Sequence, residues 1–243
     1  MTALYHNEKQ LAVVNTVMIK VAQEVHDVDD DANDERFFVE ETFTVPKEKI
    51  ASVSPFFAAA FNGRFREAKH RCIQLRDTDI DTFREFLVWL EERGDREKPS
   101  VSDAHRYSQS DYPELGSMIA NVTVKLYVFA HVYNVPRLRN DATDRLYGYF
   151  LLSDHDTGGF CITPESVDLV YEHTNDTSGI RNLLVAGYYN RYHPISFPEQ
   201  DLKKYPAEFL ADVLDSKTDG CISLHGRLST YHDHEGGGSS RRM

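Results

Sequence analysis

The chain has 243 residues and a formal charge of −12, from 27 Lys plus Arg against 39 Asp plus Glu. That excess of carboxylates argues against a protein that grips nucleic acid by bulk charge, because such proteins carry surplus Lys and Arg. Hydrophobic residues at 41% and aromatics at 12% supply an ordinary core, which excludes global disorder, and no apolar run approaches the roughly 18 residues of a membrane span.

Residues 1–10 contain Glu8 and Lys9 and no continuous apolar stretch, so no secretory signal is expected. Cys72, Cys161 and Cys221 are odd in number and widely spaced, the pattern of free thiols in a reducing compartment. A globular protein of the cytoplasm or nucleus is the expectation.

After an N-terminal tail over residues 1–12, residues 13–21 are rich in β-branched side chains. They set Val17, Ile19 and Val21 on one side, which predicts a strand. Residues 24–41 then hold nine carboxylates and one arginine, a net charge of −8. The almost wholly polar centre predicts an exposed acidic loop over 24–36. Phe37-Phe38-Val39 and Thr42 to Val45 predict a second strand or hairpin. Pro46 stands where a short helix would begin. Residues 47–54 would form that helix, with Ile50 and Val53 as its apolar pair. Residues 56–61 predict another, ended at Asn62-Gly63 by the left-handed cap that glycine tolerates.

Residues 71–75 predict a short strand. Asp77 or Asp79 is placed to cap a helix over 80–92, where Ile80, Phe83, Leu87 and Leu90 follow helical spacing. Residues 93–113 are polar and predict a long mobile loop. Residues 114–133 predict a helix with Val122, Leu126, Phe129, Ala130 and Tyr133 on one face. Val135-Pro136 breaks it, and a new helix follows with Leu138, Ala142, Leu146 and Tyr149. Further helices are predicted over 166–173, 179–191 and 207–214. Residues 216–243 are polar, include Gly236-Gly237-Gly238-Ser239-Ser240, and predict a disordered tail. No internal repeat is visible. Strands early and helices late, without βαβ alternation, give the class α+β. The divisions are a strand-bearing domain over 13–150, a helical extension over 151–215, and the tail.

Catalytic constellations are missing: no Gly-x-Gly-x-x-Gly after a strand, no phosphate-cradling loop, no Gly-x-Ser-x-Gly elbow. Asp29, Asp31, Asn33 and Glu40 match positions of a calcium loop, but Asp34 stands where its sharp turn requires Gly. His225, His232 and His234 with Cys221 match no zinc spacing. Cys72 beside Lys69, His70 and Arg71 reads as a strand cysteine with basic neighbours before it reads as a reactive thiol. His131 reads as a helix-surface histidine. Aromatic and β-branched surface without convergent polar chemistry points to an interaction module, not an enzyme, with no cofactor and no metal.

The stretch Phe43-Thr-Val-Pro-Lys-Glu-Lys-Ile-Ala-Ser-Val-Ser-Pro-Phe-Phe-Ala-Ala-Ala-Phe-Asn-Gly-Arg-Phe resembles the signature of the BTB/POZ domain family. Phe43, Val45, Lys47, Ile50, Ser54, Pro55, Phe56, Phe57, Phe61 and Phe65 occupy matching positions. Ile73-Gln-Leu-Arg-Asp-Thr-Asp resembles the family's third strand and acidic turn, and Phe83 to Leu90 its next helix. Leu126-Tyr-Val-Phe-Ala-His-Val-Tyr-Asn-Val-Pro-Arg-Leu resembles its following helix pair. The wording is most like fungal members, and Tyr171-Glu-His-Thr, Leu183-Leu-Val and Tyr205-Pro-Ala-Glu-Phe-Leu resemble their helical extension. Pro46 replaces the usual His, His131 a frequent Asp, and Leu90-Glu-Glu-Arg-Gly lacks the usual aromatic-Thr-Gly ending.

The resemblance implies a BTB/POZ fold, a small sheet flanked by a helical cluster and followed by an all-helical extension, and in many members a homodimer. Val17, Ile19 and Val21 then read as an edge strand open to pairing between protomers, with Ile50 and Val53 adding a helix face. The alternative is that this strand closes its own monomer's sheet. Some members bind a cullin scaffold of ubiquitin ligases through a hydrophobic-x-Glu pattern on the helix after the third strand, which Phe83-Arg84-Glu85 fits. Phe83 also lies on the apolar face, where core packing is its ordinary role. Other members recruit transcriptional co-regulators. No zinc finger or basic helix is present, so direct nucleic-acid binding is not expected, nor is membrane. The expected partners are a second copy, a cullin scaffold, and a protein substrate or co-regulator. Residues outside 24–41 carry only −4 of the −12. The acidic loop therefore reads as a solubilising insertion or as a local attractor for a basic partner.

Overall fold

The computed structural model describes residues 15–26, 36–93, 113–152, 162–191, 203–218, 224 and 228–232. Strand β1 (Thr16–His26) and strand β2 (Arg36–Pro46) form an antiparallel hairpin, in register from Thr16 opposite Pro46 to His26 opposite Arg36. The strands therefore run into both ends of the predicted acidic loop. Its centre, residues 27–35, lies outside the described residues.

Helices α1 (Lys47–Val53) and α2 (Pro55–Asn62) follow, separated by the extended residue Ser54. Proline at the first position of α2 has no amide for the helix to waste, and its fixed φ suits a helix start. Gly63 closes α2 with φ −79°, so the left-handed cap expected there is absent. What requires glycine is space: a Cβ would meet the Ala59 carbonyl oxygen at 2.5 Å. A short helix that the sequence pattern did not announce, α3 (Arg66–His70), ends at Arg71, whose left-handed φ of 53° turns the chain into strand β3 (Cys72–Leu75).

Strand β3 pairs parallel with β1, from Met18 opposite Cys72 to Val21 opposite Leu75, and the sheet order is β2-β1-β3. The expectation that β1 is an edge strand is corrected here. It is the central strand, and Val17, Ile19 and Val21 are buried under the chain's own helices. A strand with one apolar face, held between two partners, satisfies both its side chains and its ladder without a second protomer.

Helix α4 (Ile80–Arg93) starts where Asp79 accepts the Thr82 amide at 2.7 Å, the capping role predicted for Asp77 or Asp79. Helices α5 (Pro113–Val132) and α6 (Pro136–Leu152) form a hairpin turned at Asn134, which has φ 48°. The predicted loop between α4 and α5 lies outside the described residues over 94–112. Helices α7 (Pro164–His173), α8 (Gly179–Arg191) and α9 (Ala207–Thr218) follow, and a 3-10 turn at Leu228–Thr230 completes the regular elements among the described residues. The architecture is α+β, one small sheet and many helices.

Two apolar cores form. The first joins the inner sheet face to Ile50, Phe57, Phe61, Phe83, Phe86, Trp89 and one face of α5, namely Leu126, Phe129, Ala130 and Tyr133. The second joins the other side of α5, with Val124, Tyr127 and Val128, to Ala142, Leu146 and Phe150 of α6 and to α7, α8 and α9. The expected boundary at residue 150 therefore cuts through a core. The expected tail also needs correction. Residues 216–218 are helical, and Leu224 and Tyr231 are buried in the second core. The Tyr147 hydroxyl donates to the Leu224 carbonyl at 2.7 Å. A Cβ on Gly179 would stand 2.1 Å from the Tyr231 carbonyl oxygen, so the tail backbone lies where only glycine leaves room.

Ser54 ties the early segment to α5. Its buried hydroxyl accepts the Phe57 amide at 3.1 Å and donates to the Tyr133 carbonyl at 2.7 Å, 79 residues away. Removing it loses a helix cap and strands a buried carbonyl, about 2 kcal/mol together. Ser54→Ala is expected to lower the urea midpoint accordingly without changing the slope. Ser52→Ala, whose exposed hydroxyl meets only the Lys49 carbonyl, is expected to stay within about 0.5 kcal/mol of wild type. Equal effects of the two substitutions would contradict the role given to Ser54.

Candidate protein-interaction site

The Phe83-Arg84-Glu85 pattern divides across α4. Phe83 is fully buried, its ring 4.9 Å from that of Phe43 and 5.6 Å from that of Phe86. It supports the helix from beneath. Glu85 is exposed, and Val88, one turn on, is 50% exposed. Arg84 holds Asp81 at 2.8 Å and Glu41 of β2 at 2.5 Å, which ties the outer side of α4 to the sheet. The surface that α4 offers a partner is thus Glu85 and Val88, flanked by exposed Glu91 and Glu92. Spacing alone could not separate a contact residue from a core residue at position 83, because both fit a helical stripe.

Of the residues expected at a dimer interface, Val17, Ile19, Val21 and Ile50 are buried in the first core, and Val53 is partly buried against it. As folded, the first four have no surface to give a second copy. The apolar side chains that do reach the surface of the strands and first helices include Met18, Phe38, Val39, Phe56 and Phe65. The Phe56 ring is 5.3 Å from Tyr133 and 5.2 Å from Phe57, so α2 presents the outer member of a packed aromatic group.

A second feature was not singled out from the sequence. A cleft of about 550 Å³ opens where the two cores meet. Ala22 and Gln23 of β1 form one wall and residues 76–79 of the β3–α4 turn another. Val128 and Phe129 of α5 contribute apolar lining, and Thr163, Ser166 and Leu169 at the start of α7 close the far side. Side chains brace it. Gln23 accepts the Ile80 amide at 3.3 Å, and Asn121 accepts the Thr163 amide at 2.9 Å, so two helix starts are fixed by neighbouring elements. These walls come from four distant segments, which is why only the Asp77 to Asp79 turn stood out in the sequence.

The charges near the cleft are partly paired. Lys125 donates to Asp79 at 3.0 Å. Burial opposes ionisation of the Asp79 carboxyl, but the Thr82 amide and the Lys125 ammonium together outweigh it and hold the carboxyl below its ordinary value. At the sheet surface Glu40, 2.7 Å away, raises the Lys20 ammonium above its usual range.

Elsewhere, Cys72 is a half-buried free thiol on β3, and the His131 ring lies parallel to Tyr127 on α5. His232 meets Asp144 at 2.5 Å, part of the docked tail. Cys161, Cys221, His225 and His234, with the calcium-like positions Asp29, Asp31 and Asn33, lie outside the described residues. Among the described residues no cluster of three metal-ligating side chains occurs, and no helix is long and apolar enough to cross a membrane.

No family model matches the chain, and no curated protein matches it.

Asp79 gives a pH test of the turn that borders the cleft. A carboxyl held low in the folded state stabilises above its unfolded value and loses that contribution as pH falls through the folded value, below about pH 4. Asp79→Asn keeps a capping oxygen but loses the charge facing Lys125. It is expected to cost roughly 0.5–1 kcal/mol at pH 7, since the pair is partly exposed. Urea midpoints of wild type and variant should converge as pH falls below about 4. A constant gap across that range would contradict the assignment.

Proposed function

We propose that the chain is a protein-interaction module of the BTB/POZ type, a homodimerising adaptor that joins a cullin-type ubiquitin ligase scaffold to a protein substrate. The observation that carries this reading is how the segments quoted for the resemblance meet. Ser54, opening the Ser-Pro-Phe-Phe segment, donates to the carbonyl of Tyr133, which belongs to the Tyr-x-Val-Pro-x-Leu turn. Phe57 of the first segment lies in the same aromatic group as Tyr133, Phe86 and Phe129. The order of hairpin, helix pair, short strand, helix and helix hairpin also accords with the resemblance.

In this reading the scaffold contact is the outer side of α4, with Glu85 and Val88 as contact residues and Phe83 as their support. The dimer contact is the surface around Phe56 and Val53, because the inner residues of β1 and α1 serve the chain's own core. Substrate or co-regulator contacts fall to other surfaces.

Sedimentation velocity at micromolar concentration is expected to give a species of twice the 27.9 kDa chain mass. A species of one chain mass alone would remove the dimer. Pull-down with a cullin scaffold is expected to succeed with wild type and to fail with Glu85→Lys and Val88→Asp, two exposed changes that leave the core intact. Unchanged capture by both variants would remove α4 as the contact.

A further inference from the structure

We propose that the C-terminal segment seen at Leu224 and over Leu228–His232 is a self-bound strap. The groove beneath it, between α6 and the start of α8, is then a docking site for a partner's peptide that carries a leucine and a tyrosine at the same separation. The inference stands apart from the adaptor reading, since it uses neither α4 nor the surface around Phe56.

Three observations carry it. First, the strap is held at few points. Leu224 and Tyr231 are its members in the second core. Ser229 and Thr230 are exposed, and Leu228 and His232 are half-buried. Its regular structure is one 3-10 turn, closed by the Tyr231 amide on the Leu228 carbonyl at 3.0 Å. Two anchors offset the ordering of such a segment only narrowly, because every fixed residue loses backbone freedom. A segment of this kind opens locally while the helices beneath stay folded.

Second, the groove accepts a main chain as well as side chains. Gly179 opens α8 without a left-handed φ, so its backbone angles alone do not call for glycine. A Cβ there would stand 2.1 Å from the Tyr231 carbonyl oxygen and 2.6 Å from its carbon. The missing side chain is what lets a peptide backbone lie against the helix start. Tyr147 of α6 serves both ends of the strap. Its hydroxyl donates to the Leu224 carbonyl at 2.7 Å, and its ring lies 5.8 Å from that of Tyr231. Asp144, one turn earlier on α6, meets the His232 ring at 2.5 Å. The groove thus reads a leucine, a main-chain carbonyl, an aromatic ring and a following imidazole.

Third, the tether selects the occupant. A second copy offers the same contacts as the strap, yet must displace a segment already fastened beside the groove, whose effective concentration is far higher. A partner's segment with the same two anchors can add contacts of its own where the strap has exposed Ser229 and Thr230. It would also take over the strap's cover of the second core. The strap sets access, since the partner's apparent affinity falls with the fraction of time the groove is closed.

The test uses the full chain and a labelled peptide of residues 222–234, Ile-Ser-Leu-His-Gly-Arg-Leu-Ser-Thr-Tyr-His-Asp-His. It stands in for the partner segment because it carries the anchors that the groove holds. Fluorescence anisotropy is expected to show binding about tenfold tighter to Tyr231→Ala, whose strap has lost an anchor, than to wild type. The peptide with alanine in place of its tyrosine should bind about tenfold more weakly. Adding Gly179→Ala to Tyr231→Ala should abolish binding while far-UV circular dichroism stays unchanged, since alanine suits a helix. Hydrogen exchange on wild type should show amides of residues 228–232 opening with a smaller urea dependence than those of α8. Absence of peptide binding to folded Tyr231→Ala, equal affinity for the alanine peptide, or binding that survives Gly179→Ala would overturn the proposal. Strap amides that open only together with α8 would overturn it too, and that reading decides alone if Tyr231→Ala does not fold. Unlabelled wild-type chain that displaces the peptide from Tyr231→Ala as well as free peptide does would assign the groove to a second copy and overturn the partner assignment.

Discussion

Helix α5 gives two faces to two different cores and leaves only a narrow strip, with Lys125, to water. Leu126, Phe129, Ala130 and Tyr133 enter the core beneath the sheet, while Val124, Tyr127 and Val128 enter the core of the helical extension. A helix with two apolar faces is stable only when both are covered. Everything on both sides of α5 is therefore needed to bury it. Sheet, α2 and α4 cover one side, and α6, α7, α8 and the docked tail cover the other. Burying each large side chain is worth roughly 1.5–3 kcal/mol, so removing either cover exposes a surface whose cost exceeds the margin of a typical domain.

Polar bonds fix how the covers sit on that helix. Ser54 donates to the Tyr133 carbonyl just past the end of α5, and the Trp89 indole donates to buried Asp141 of α6 at 2.8 Å. On the far side, buried Arg181 of α8 donates to the Tyr171 carbonyl at 2.7 Å and to the Thr174 carbonyl, and lies 4.1 Å over the Tyr171 ring. It thereby satisfies carbonyls at the end of α7 that the helix itself leaves open. The Tyr171 hydroxyl, raised by burial and by Asp212, stays protonated and donates to that carboxylate at 2.6 Å. Buried groups of this kind are costly when left alone and directional when paired. They set the cleft where the two cores meet, because they hold α4, α5 and α7 in place around it.

Much of the fold could be read from local pattern. Alternation gave β1, the apolar run over 56–61 gave α2, Asp77 or Asp79 gave the start of α4, and Val135-Pro136 gave the break between α5 and α6. Long-range facts were not legible. The face of α5 that packs on the extension, with Val124 and Tyr127, lies one step round from the stripe that stood out, and periodicity cannot name two partners for one helix. The position of β1 inside the sheet depends on β3, four residues long and 54 residues after Met18 at their first pairing. Leu224 and Tyr231 sit in a polar stretch, and two isolated apolar residues carry no period. Phe83 and Glu85 were adjacent in a motif, yet the turn of the helix sends one inward and the other outward.

The central claim is that α5 makes the sheet region and the helical extension one cooperative unit. Native-state hydrogen exchange across a urea series tests it most directly, by comparing the slowest amides of α2 with those of α8. The shared helix predicts that both sets converge on one opening free energy with one urea dependence. Amides of α8 that open at lower free energy, while those of α2 stay protected at every urea concentration below the transition, would contradict it.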